Sequence, residues 1–166
     1  MQGILYCVIC GNKLVEQQIT NDLRPYCSRC DKIVYVDPKV AVVVLIIKNN
    51  SILLVKRDIE PHFGKWSFPS GYVDRGEMVE NAAIREVNEE TNLDIRLDSL
   101  QGVYSGNGPV VLIVYQASPI SPKASKGEEV SAVGWFDLDD LPKLPFNHDS
   151  QIMEDLYNPP LSGYRG

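Results

Sequence analysis

"VENAAIREVNEE", Val79 to Glu90, is the stretch on which the reading of the fold turns. It contains neither Gly nor Pro and is rich in Ala and Glu, so a helix over residues 78–91 is expected. On a wheel of 100° per residue, Val79, Ala83 and Val87 form an apolar stripe. Glu86 and Glu90 each fall within about 20° of Val79, and Glu89 within about 20° of Ala82. Asn81, Arg85 and Asn88 take the opposite side. Three glutamates therefore gather at the edge of the face that should pack on a sheet. Like charges three or four residues apart repel by about a few tenths of a kcal/mol per pair. A Glu-rich helix is ordinarily a solvated face, but carboxylates converging at a partly buried edge require a cation. Hard oxygen donors with room for water and phosphate suit Mg²⁺ or Mn²⁺. Arg85 is expected to orient Glu89, four residues on, while pointing away from Glu86 and Glu90.

Working outward, "SGYVDRGE" leads into the helix with Gly71 and Gly76 as permissive backbone positions, and Glu77 lies near the positive end of the helix dipole. Upstream, "VAVVVLII" (Val40 to Ile47) reads as a buried strand, "KNNS" as a turn and "ILLVKR" (Ile52 to Arg57) as its hairpin partner. "DIEPHFGKWSFPSG" reads as an aromatic loop. Downstream, strand-like runs occur at "LDIRL", "GVYS", "PVVLIVYQAS" and "AVGWF", followed by a helix-like "HDSQIMEDLYN". Interspersed strands and helices predict a mixed α/β domain.

The 166 residues suit one domain plus a small module, and 44% apolar content is enough for a real core. The longest apolar run is too short to span a bilayer, and no charged region followed by an apolar stretch opens the chain. A cytoplasmic protein without membrane partners is the expectation. A net charge of -6 and a pI near 4.9 argue against a broad electrostatic hold on nucleic acid. A phosphate ligand would need a bound cation to attract it.

All four cysteines lie near the beginning, as "CVIC" (Cys7, Cys10) and "CSRC" (Cys27, Cys30), with sixteen residues between the pairs. This spacing fits a closed, structural four-thiolate Zn²⁺ site, with two disulfides or unrelated thiols as the alternatives. A zinc ribbon over residues 1–36 and a second domain over 37–166 are expected.

"GYVDRGEMVENAAIREVNEETNL", Gly71 to Leu93, resembles the box of the Nudix hydrolases: Gly, five residues, Glu, seven residues, Arg-Glu-apolar-any-Glu-Glu-any-Gly-apolar. Gly71, Glu77, Arg85, Glu86, Val87, Glu89, Glu90 and Leu93 match, and Asn92 stands where the pattern has Gly. Asn is the next most favourable residue for a left-handed helix end. The resemblance implies an α/β/α sandwich with a mixed sheet, and hydrolysis of a nucleoside diphosphate linked to another moiety. It further implies one to three Mg²⁺ ions on Glu86, Glu89 and Glu90 with the Gly71 carbonyl, while Arg85 and Glu77 hold the loop. The general base in this family is a box glutamate or one from a later loop, so Glu89, Glu128 and Glu129 are all candidates. A preceding ribbon is similar to the NADH, ADP-ribose and FAD pyrophosphatases, among which dimers are common. An "SQPWPFP"-like array, typical of the NADH group, is missing, whereas Pro109 falls sixteen residues past the box as in the ADP-ribose group. Arg57, His62, Phe63, Trp66, Phe68, Tyr72 and Pro109 are the candidate substrate contacts. Two other readings stay open: a ribbon-bearing regulator that senses a nucleotide without cleaving it, and a nucleotide-sanitising or decapping hydrolase.

Overall fold

The apolar run at Val40 lies in β4 (Lys39–Lys48), whose residues from Ala41 to Ile46 are buried. Burial on both faces follows from alternation, because successive side chains of a strand point to opposite sides. Val42, Val44 and Ile46 meet Ala82, Ala83 and Val87 of α1 (Val79–Thr91) in one core. Val43 and Leu45 meet Phe68, Val114 and Ile152 in the other, and Ile152 belongs to α2 (Asp149–Tyr157). A helix on each face of one sheet is the α/β/α sandwich expected. Each fully buried aliphatic side chain, Val87 and Ile152 among them, contributes about 1.5–3 kcal/mol.

This computed structural model describes residues 5–106, 108–121 and 123–159. The chain forms two units, Met1–Pro38 and Lys39–Gly166. In the first, β1 (Val15–Ile19), β2 (Asp22–Cys27) and β3 (Lys32–Ile33) make an antiparallel sheet in that order.

In the second unit the sheet runs β10-β5-β4-β9-β8, with β5 at Ser51–Arg57, β8 at Ile95–Tyr104, β9 at Val110–Pro119 and β10 at Val130–Asp137. Strand β4 runs parallel to β9, and the remaining pairs are antiparallel, so the sheet is mixed. Asn49 and Asn50, with φ of 50° and 61°, make the tight β4–β5 turn, a conformation that Asn tolerates.

Two features depart from the sequence reading. "LDIRL" and "GVYS" are one strand, β8, whose register slips between Leu97 and Ser99 and again between Leu100 and Gly102. These bulges break the two-residue alternation on which a strand is recognised. The aromatic loop contains two short strands, β6 (Trp66–Ser67) on β5 and β7 (Ser70–Tyr72) on β4. Neither is long enough to show a period, and Pro69 separates them. Their consequence is large. At its far end β4 pairs with β5 through Ile47 and Lys48, but along Ala41–Val43 the partner is β7. The sheet opens where β7 takes over, and Gly71 is carried up to α1.

Candidate active site

The opening in the sheet is a cleft of about 560 Å³, within the range of small-molecule sites. Gly71, Arg85, Glu86, Glu90 and Glu129 line one part; Arg57, Phe68, Phe146, His148 and Ile152 are among those lining the rest.

Glu86 and Glu90 are buried on the inner face of α1, 9% and 8% exposed. A Cβ on Gly71 would stand 1.9 Å from the Cδ of Glu86, so with any other residue here this carboxylate would have to move. Gly71 is thus required for close approach; its φ is not positive. Burial raises the pKa of Glu86, opposed by Arg85 and reinforced by the charges of Glu89 and Glu129. Burial likewise pushes Glu90 up to about 8, with the Ser70 N–H (3.1 Å) and Arg57 opposing, and with Glu86 and Glu129 adding to the rise. Carboxyls this reluctant to ionise alone become full anions when a cation neutralises them. The donor chemistry and the bare Gly71 cradle fit a divalent ion.

Arg85 lies differently from its expected course. Its Nε donates to Glu77 (2.8 Å) and its Nη2 to Glu77 (2.9 Å) and the Tyr72 carbonyl (3.1 Å). Its Nη1 reaches both Glu86 (2.9 Å) and Glu89 (3.1 Å). A wheel treats side chains as radial spokes, whereas a long guanidinium folds along the helix surface to the residue beside it. Chiefly through Arg85, and also through the Asp74 N–H, Glu77 is held well below the usual carboxylate range at about 2. The expected role of Glu77 at the helix dipole is therefore secondary to a direct ion pair.

The third glutamate of the box departs further from the wheel. Glu89, its side chain 50% exposed, lies on a shallower depression with Asn92, Lys126, Gly127, Glu128 and Glu129. Among the described residues, no three box carboxylates have their oxygens drawn within 4.8 Å of one another; only the four cysteines gather that closely. Of the two later glutamates, Glu129 borders both cleft and depression, and Glu128 the depression alone.

The substrate candidates divide similarly. Arg57, Phe68, Tyr72 and Pro109 line the cleft. His62 does not; it stands edge-on to Phe146 at 4.9 Å. Phe63 is exposed and off the cleft, and Trp66 packs against Phe136 at 4.8 Å on the sheet, because a loop side chain's direction is set by pairing its sequence does not show. Phe146 was missed. The Arg57 guanidinium lies over its ring at 5.2 Å while its Nε donates to the Pro61 carbonyl at 2.8 Å. The Phe146 N–H donates to buried Asp149 (2.8 Å), whose carboxyl burial raises. "PFNHD", Pro145 to Asp149, opening a helix is the signal that was available.

In the first unit, Cys7 and Cys27 are buried, and all four sulfurs are free of disulfides. The four lie within 4.8 Å of one another, as a common tetrahedral ion requires. Backbone N–H groups of Ile9 and Cys10 lower the Cys7 thiol to about 7, while hydrogen bonding with Cys10 pushes Cys30 up to about 12, so the four sulfurs share protons unevenly in the absence of a cation.

The NUDIX domain family model matches residues 37–156. The chain is 41% identical over 125 residues, 72% of its length and 74% of the relative's, to a protein of Methanocaldococcus jannaschii named ADP-ribose pyrophosphatase. It is 29% identical over 160 residues to a Pseudomonas fluorescens protein named NAD-capped RNA hydrolase NudC, covering 92% of this chain but 55% of that one. The chain thus spans about half the length of that relative. A crystal structure of a NUDIX hydrolase from Nitrosomonas europaea superposes with a TM-score of 0.83 over 94% of each chain, at 29% identity.

Proposed function

The chain belongs to the NUDIX domain family, and from that premise we propose that it is a divalent-metal-dependent pyrophosphohydrolase acting on ADP-ribose or a related dinucleotide. The observation that carries this reading is the pair of buried glutamates, Glu86 and Glu90, opening onto one cleft beside a glycine whose Cβ position the Glu86 carboxylate occupies. Mg²⁺ or Mn²⁺ held by Glu86 and Glu90 with the Gly71 carbonyl, and joined by Glu89 from the side where Arg85 Nη1 bridges it to Glu86, would neutralise the diphosphate and acidify the attacking water. Arg85 keeps Glu77, Glu86 and Glu89 in register. Glu129 takes the proton as the water oxygen bonds to phosphorus and the anhydride P–O bond breaks. The leaving phosphate departs with that electron pair, giving a nucleoside monophosphate and the phosphorylated partner. Arg57 meets the diphosphate, and the face of Phe146 turned away from Arg57 takes the base, since an aromatic ring braced by a cation and by a T-shaped contact with His62 is rigid.

Glu129 is preferred to Glu89 and Glu128 because it alone of the three borders the cleft. The four cysteines would hold one structural Zn²⁺. A second substrate, NAD-type dinucleotides free or at an RNA end, draws support from the NudC match extending over 92% of the chain. The acidic pI makes the short dinucleotide the better of these.

Incubation with ADP-ribose, NADH, NAD, FAD, NAD-capped RNA and nucleoside triphosphates, each with Mg²⁺ or Mn²⁺, tests the assignment. AMP released fastest from ADP-ribose or a dinucleotide supports it. Tight ADP-ribose binding without hydrolysis under any divalent ion would replace it with a sensor.

A further inference from the structure

We propose that Asn92, where the family pattern has glycine, is a positioning residue that holds the segment bearing Glu129 against the end of helix α1. The inference rests on the reading of Glu129 as the general base. Asn92 ends the helix at φ 49° and ψ 28°, the left-handed conformation that glycine would adopt at less cost. A glycine would therefore serve the backbone equally well, and the side chain must be explained separately. Its Nδ2 donates to two carbonyls of one segment, Ser125 (3.3 Å) and Lys126 (3.1 Å).

That segment is fastened from the other direction too. The last carbonyls of a helix lack intrahelical partners. Here the Ser125 N–H donates to Thr91 O and the Gly127 N–H to Glu90 O, both at 2.9 Å. A Cβ on Gly127 would fall 1.7 Å from the Glu89 carbonyl oxygen, so the segment lies on the helix end with no room for a side chain. Two residues later Glu129 enters the cleft, where its charge is felt by both Glu86 and Glu90. The strap thus ties the later carboxylate to the helix that carries the other two. Displacement by about 1 Å of a reacting group costs about 10²-fold in rate, so a modest loosening has a large effect.

The test compares Asn92→Gly and Asn92→Asp in wild-type and Glu129→Gln backgrounds, with amide hydrogen exchange at Ser125 and Gly127 as a readout independent of activity. Asn92→Gly keeps the helix end and loses only the two donors. It is expected to lower kcat about 10- to 100-fold, with KM nearly unchanged and exchange at both amides accelerated. Asn92→Asp, which turns a carboxylate toward two carbonyls, is expected to be slower still. Neither substitution should slow the Glu129→Gln enzyme further. Unchanged amide protection in Asn92→Gly would overturn the strap. Undiminished kcat in that variant, or its full loss repeated in the Glu129→Gln background, would overturn the action of Asn92 through Glu129. Wild-type turnover by Glu129→Gln alone would refute the general-base reading, a failure separate from that of the strap because the exchange data judge the latter.

Discussion

Replacing Gly71 by alanine adds one methyl group at the place where strand and helix meet most closely. That Cβ would lie 1.9 Å from Glu86 Cδ and 2.1 and 2.2 Å from its oxygens. The carbon separation is short of an ordinary contact of about 3.5 Å by about 1.6 Å. The backbone here has no positive φ, so alanine is conformationally acceptable and the penalty is the collision alone. Strand β7 is fixed by its pairing with Ala41–Val43, so the carboxylate gives way. A shift of this size at a metal ligand should reduce kcat by at least about 10²-fold, or about 2.7 kcal/mol of barrier. Overpacking should cost a further ~1–3 kcal/mol of stability. The assay is ADP-ribose hydrolysis against Mg²⁺ concentration, with calorimetry to show that the variant remains folded at the assay temperature. The Mg²⁺ requirement should rise together with the loss of rate. A folded Gly71→Ala protein with wild-type kcat and Mg²⁺ dependence would refute the reasoning.

Phe146→Ala should raise KM for ADP-ribose about 5- to 150-fold if the ring stacks on the base, the equivalent of ~1–3 kcal/mol per stacked base; an unchanged KM rejects it as the base platform. Because the folded-state pKa of Glu77 is lowered from 4.5 to about 2, its stabilising contribution is full above about pH 4.5 and is lost as pH falls toward 2. Acid titration of stability should therefore be shallower for Glu77→Gln in that window, and parallel curves would contradict the Arg85 pairing. Thiol modification of the four cysteines should release one zinc ion per chain, and chelation should abolish amide protection in β1 and β2; a metal-free, fully protected protein would exclude a zinc ribbon.

Much of this was legible because it depends on local periodicity. The unbroken apolar run of β4 gave a central strand, and the wheel correctly turned Glu86 and Glu90 inward with Val87. The cysteine spacing likewise pointed to four sulfurs that do converge. What could not be read depends on tertiary partners. Glu89 sits at the margin of the stripe, where Arg85 draws it outward. The aromatic loop suggested Phe63 and Trp66, but the pairing of β6 with β5 turns Trp66 onto Phe136 instead. Phe146 reaches the cleft from the start of α2, held by Asp149 and Arg57. Nothing periodic in the sequence joins residues 57 and 146. Asn92 looked like a tolerated substitute for glycine, and its bonds to the Ser125 and Lys126 carbonyls could not be read because those partners lie far along the chain.

Glu86 and Glu90 would hold a divalent ion that lets water cleave a pyrophosphate. The most direct test of this is product analysis of ADP-ribose incubated with Mg²⁺ and either the wild-type chain or Glu90→Gln, whose folding is verified. The account predicts equal amounts of AMP and ribose 5-phosphate from the wild type, none without a divalent ion, and a rate lowered by about 10³-fold or more in Glu90→Gln. Metal-independent cleavage, or undiminished turnover by Glu90→Gln, would contradict it.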